Sequence, residues 1–132
     1  MSAATVVGRT LLAAVFLRGA VGQLQRPQPL ADLVERAASR YGLDWLPVPG
    51  RQLVLANGAV MLTAGSGLAL GVAPRACALA LTAALVPTTA VGHAFWEVDD
   101  PARRSAKLNS FLANVAIIGG LTLVAADERR RR

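Results

Sequence analysis

Scarcity is the first feature of this chain. Of its 132 residues, one is cysteine, one is histidine and 5 % are aromatic. A single cysteine, Cys77, excludes an intrachain disulfide and a dithiol centre. A single histidine, His93, weighs against haem held by two imidazoles of one chain, and it stands in no metal-ligand spacing with Cys77. No metal site is therefore expected. No Ser/His/Asp arrangement or phosphate loop occurs either, so a self-sufficient catalytic set is not legible. With aromatics rare, the apolar share of 54 % comes from Ala, Leu and Val. Soluble domains run nearer 45–50 % even with glycine counted in, so an ordinary soluble domain is a poor description.

Acids are also few: 8 Asp and Glu stand against 14 Lys and Arg, for a net charge of +6. An apolar yet basic chain is either a membrane protein with charges between its spans or a nucleic-acid binder with a large core. The distribution of the charges decides. Segments 52–74, 76–96 and 108–126 carry no charged residue at all. A bilayer span needs about 20 apolar residues, each rising ~1.5 Å. We therefore expect spans over 52–72, 76–96 and 110–126, and no nucleic-acid partner. Segment 5–24 reads as a first span. Its competitor is a signal peptide, with Arg9 as the basic flank. Arg18 breaks the apolar stretch such a peptide needs, and no A-x-A cleavage pattern follows.

The expected architecture is all-α, a transmembrane four-helix up-and-down bundle forming one domain over 1–132. The loop between spans one and two holds Leu30, Leu33, Val34, Ala37 and Tyr41 at helical spacing, with the charged residues elsewhere. Pro29 suits a first turn and Gly42 a stop. This predicts an amphipathic helix over 29–41, lying in the interface plane or capping the bundle. Pro87 interrupts span three and removes the donor for the Ala83 carbonyl. Thr88 and Thr89 follow at once, and a hydroxyl could satisfy that carbonyl. Gly67-x-x-x-Gly71 and Ala116-x-x-x-Gly120 have the spacing of close helix packing. Arg75 and the arginines at 129–132 favour cytoplasmic termini. The other side carries seven basic residues offset by six acids, so the bias is modest.

Polar residues inside a bilayer are costly and mark candidate sites. Arg18, Asn57, His93 and Asn114 are one per span. At ~1.5 Å per residue, all four fall roughly 4–9 Å from the same membrane face. This predicts one polar cluster, unless Arg18 snorkels to the head groups and His93 is a separate interfacial anchor. The cluster is structural glue between helices, or it receives a ligand such as a quinone carbonyl or a lipid head group. Trp96 reads as an interfacial anchor. Glu97, just outside, is a proton relay or a solvated loop residue.

Leu85-Val86-Pro87-Thr88-Thr89 leading through His93-Ala94-Phe95-Trp96-Glu97, then Asp99-Asp100-Pro101, Phe111-Leu112-Ala113-Asn114 and Gly119-Gly120, is distinctive. Phe16-Leu17-Arg18-Gly19 and Ala56-Asn57-Gly58 extend the likeness upstream. Together these segments resemble the DoxX family of small four-span bacterial membrane proteins. The resemblance implies a multi-pass protein of the plasma membrane and an accessory or anchor role in a redox-linked complex, with quinone as a possible cofactor. It also implies a protein partner or homo-oligomer in the lipid bilayer. A non-catalytic scaffold is the alternative. A small-solute transporter is a third, which four spans without an inverted repeat support poorly.

Overall fold

The computed structural model describes residues 2–130, with side chains through Asp127, and the regular elements among these are all helices. They are α1 (Ala3–Gln25), α2 (Gln28–Arg40), α3 (Gly50–Leu70), α4 (Pro74–Gly92), a 3-10 turn (Phe95–Glu97) and α5 (Pro101–Arg130). Four segments are long and apolar enough to cross a membrane: Ala3–Gln25, Gly50–Leu70, Pro74–Glu97 and Pro101–Asp127. The arginines at 129–132, on which the expected orientation leans, lie outside the described side chains.

Local chemistry sets the helix ends. The Ser2 hydroxyl accepts from the Thr5 N–H and caps α1. Gly71, with φ +74°, ends α3, and the Val72 N–H donates back to the Gly67 carbonyl at 2.8 Å. A left-handed cap of this kind favours glycine, which has no Cβ to clash. The predicted second span ran to 72, past this cap. Helix α5 begins at Pro101, nine residues before the predicted fourth span. The Asp100 carboxylate accepts from the Arg103 N–H at 2.9 Å, so Asp-Pro acts as N-cap and first helical residue. A span defined as an uncharged run leaves out these nine residues, because they include Arg103, Arg104 and Lys107. The helical part of the third span ends at Gly92, with His93 as its cap.

Neighbouring spans run antiparallel. Leu17 meets Gly65 and Leu24 meets Gly58, so α1 descends along α3. Cys77 faces Gly67 and Thr88 faces Asn57, so α4 folds back on α3. Thr89 bonds Asn114 and Phe95 packs on Phe111, so α5 returns along α4. The core runs through Phe16, Ala20, Met61, Leu68, Leu81, Leu85 and Leu121. Helices α1 and α5 touch sparsely, and the bundle is open along that seam.

The proposed packing residues divide. Gly67 lies against the Cys77 sulfur, where a Cβ would come within 2.7 Å, and Gly120 lies against Leu12. Gly71 is the α3 cap rather than a packing residue, and Ala116 is exposed. Gly19, Gly58 and Gly65 carry the α1–α3 contact instead.

The loop helix runs over Gln28–Arg40 and packs on α3 and α4, so it caps the bundle. Ala31 is fully buried there. A Cβ on Gly50 would stand 2.9 Å from the Ala31 carbonyl oxygen and 2.9 Å from Glu35 Cγ. Backbone cannot yield as a side chain can. We therefore expect Gly50→Val to lift α2 from the bundle, at a cost of about 1–3 kcal/mol for overpacking. Faster amide hydrogen exchange across residues 28–40 in micelles would show it, and unchanged exchange would contradict it.

Candidate functional site

Helical phase determines which polar residues meet. On α1 the buried positions are Arg9, Ala13, Phe16, Ala20 and Gln23. This stripe advances by three or four residues at a time. Arg18 falls off it and is exposed, with no hydrogen bond or ion pair among the described residues. Gln23 falls on it and is 8 % exposed. Gln23 therefore takes the place in the bundle that depth alone assigned to Arg18. The signal for it was the seven-residue step from Phe16.

Asn57 is the joint of the network. Its Nδ2 donates to Gln23 Oε1 at 3.0 Å, Thr88 Oγ1 at 3.1 Å and Met61 Sδ at 3.4 Å. Gln23 Nε2 also donates to Met61 Sδ, at 3.4 Å. One amide so ties α1, α3 and α4. On the other side of α4, Asn114 Nδ2 donates to Thr89 Oγ1 at 2.9 Å, which ties α5. Both threonine hydroxyls donate to the backbone, Thr88 to the Ala84 carbonyl at 2.9 Å and Thr89 to the Leu85 carbonyl at 2.7 Å. Neither reaches the Ala83 carbonyl, the acceptor expected from the sequence. A helical threonine bonds back to the residue four before it, which gives Ala84 and Leu85. The expected single cluster is thus two asparagine–threonine joints on adjacent residues of α4, with Arg18 and His93 outside both.

His93 caps α4, and its ring makes no hydrogen bond among the described residues. Trp96 is half exposed and packs edge-on against Phe95 and Phe111. Glu97 pairs with Arg40 and accepts from the Tyr41 hydroxyl at 3.3 Å. The 3-10 turn is thereby strapped to the end of α2. This bonded carboxylate holds the Arg40 guanidinium above its ordinary pKa.

An apolar groove of about 570 Å³ opens between α3 and α4 beneath α2. Leu30 and Val34 of α2 cover it, and Val60, Pro87 and Val91 line its walls. Asn57 and Thr88 supply its side-chain polarity, and no ionisable residue lines it. A size of ~300–1,000 Å³ with a few convergent polar groups is what small-molecule sites share. A second cleft of about 630 Å³ lies around α2 and the 3-10 turn, lined by Arg40, Trp96 and Glu97. A third, of about 490 Å³, lies between α1 and α5 and includes Arg9 and Asp127. Of the three, the α3–α4 groove is the one that reaches the buried asparagine joint. Among the described residues no group of His, Cys, Asp or Glu could hold a metal ion.

Four long apolar helices joined by hydrogen bonds of side-chain amides and hydroxyls define a polytopic helical membrane protein. A family model described as DoxX matches residues 4–94, and the chain belongs to that family. The match spans α1 to α4 and ends before the 3-10 turn and α5. No curated protein and no solved structure matches the chain.

Proposed function

We propose that this DoxX-family protein is a non-catalytic accessory subunit of a redox-linked complex in the plasma membrane. Its α3–α4 groove holds the lipophilic carrier of that complex. The groove supports this reading most directly: it is apolar, of small-molecule size and uncharged, and it carries one amide–hydroxyl pair. A quinone-type carrier fits such a lining through its ring and tail. Asn57, Thr88 and the α4 backbone near Pro87 would hold its head, and when bound it would supply the two-electron chemistry that the chain's own side chains lack. A protein partner or second copy would provide the rest of the complex. Cytoplasmic termini belong to the same proposal, and reporter fusions at each end would test them.

The experiment is purification in mild detergent followed by mass spectrometry of retained lipids. Enrichment of quinone-type lipids over the bulk membrane is expected. Because His93 does not line the groove, His93→Ala is expected to leave retention within about twofold. No enrichment in the wild type, or its abolition by His93→Ala, would defeat the reading.

A scaffold is the second reading. It is favoured by the engagement of both asparagine amino groups with protein acceptors. Stability loss in joint variants with no change in retained lipid would support it.

A further inference from the structure

The hydrogen-bond inventory of the groove is unequal, and the inequality names a ligand chemistry. Thr88 has one proton, and it lies on the Ala84 carbonyl. Its oxygen therefore faces Asn57 as an acceptor, which turns the Asn57 amino group toward it. The two amino protons already meet three acceptors, on Gln23, Thr88 and Met61. On the opposite edge of the amide, Asn57 Oδ1 accepts no hydrogen bond among the described residues. It is not sealed in the core either, because no buried side-chain nitrogen or oxygen lacks a partner among the described residues. A second acceptor stands close by. Pro87 has no N–H for the Ala83 carbonyl, and both residues line the groove. The site therefore offers acceptors and holds back its donors.

From this we infer that the groove selects a neutral amphiphile whose head donates a hydrogen bond: a hydroxyl rather than a carbonyl. The inference rests on the groove reading above and deepens it. For a redox carrier, the groove takes the reduced, hydroxyl-bearing form over the oxidised one. A carbonyl head would find only acceptors and an amino group already engaged. A phosphate head would find no cation. It would also sit too deep, because Asn57 is seven residues into α3, about 10 Å below that helix end at ~1.5 Å per residue. Selective hold on the reduced form makes a bound carrier easier to reduce, by about 30 mV for each tenfold of preference in a two-electron couple.

The test uses the full chain in detergent micelles, without oxygen, and measures equilibrium binding. The probes are a decyl-substituted benzohydroquinone, the corresponding quinone, the hydroquinone dimethyl ether, and dioctanoylglycerol. We expect the hydroquinone to bind at least about tenfold more tightly than the quinone or the ether, the value of one well-made hydrogen bond. Asn57→Leu should erase that preference. Because this variant also loosens the bundle, Pro87→Ala serves as the second. It returns an N–H to the Ala83 carbonyl without touching the asparagine joint, and should cut the preference about threefold. Equal or tighter binding of the quinone overturns the inference and leaves the groove reading standing. Binding of dioctanoylglycerol with neither carrier form supports donor selection and overturns the redox reading. Binding of no probe overturns both.

Discussion

Replacing Asn57 by leucine is expected to destabilise the bundle by about 2–3 kcal/mol and to erase the groove's preference for a donor head. The leucine fills a similar volume, so the loss comes from hydrogen bonds. Interhelical bonds in membranes contribute about 0.6–2 kcal/mol each. Leaving a buried partner unsatisfied costs about 1–3 kcal/mol more. That partner is Gln23 Oε1, on a side chain 8 % exposed. Reversible unfolding in mixed micelles measures the effect. The double variant Gln23→Leu/Asn57→Leu is the informative companion. With both polar partners gone, no orphan remains, and stability should return most of the way to the wild type. The preference should not return, because Asn57 Oδ1 is still missing. An undiminished midpoint in the single variant would show that the joint bears no weight. Recovery of the preference with stability in the double variant would show that Asn57 acts only as glue.

Phe16→Ala should cost about 3–5 kcal/mol, the range for deleting a buried aromatic ring. Phe16 is 1 % exposed, and its Cβ faces Gly65 across the α1–α3 contact. Glycine on the facing helix has no side chain that could swing into the vacated space. Neighbouring interiors relax only in part, so a cavity remains. Leu11→Ala on the same helix is the control. Leu11 is 65 % exposed, and its loss should fall within about 0.5 kcal/mol. Similar midpoints for the two variants would mean that α1 is rotated relative to the packing described above.

The contrast between these two positions shows where sequence reading stops. Leu11 and Phe16 are equally apolar and lie in one uncharged run, yet one faces outward and the other is core. In water, polarity marks the exposed face of a helix. In a bilayer the solvent is as apolar as the core, so the contrast disappears. Helix α2 shows the opposite case. Its charged residues leave a visible apolar stripe, and its extent was readable to within one residue at each end. Arg18 was misplaced for the same reason as Phe16 was indistinguishable. Its depth along α1 was readable, but its rotation about the axis was not. Arg9 is a related case. Its side chain is 5 % exposed on the core stripe of α1, whereas the sequence offered it only as a flanking charge.

The sequence by itself determined the quantities that run along each helix. Uncharged length set the number of spans, and a constant rise per residue placed Asn57 and Asn114 near one depth. Gly42 marked the stop of α2. Tertiary structure decided the quantities that run around each helix: that Gln23 and not Arg18 turns inward, that Thr88 and Thr89 each receive one asparagine, and that α2 roofs a groove between α3 and α4. Rise along an axis is a property of the backbone and needs no partner. Rotation is settled only when small residues such as Gly58 and Gly65 let a particular face of α1 approach α3, and the lipid offers no competing preference.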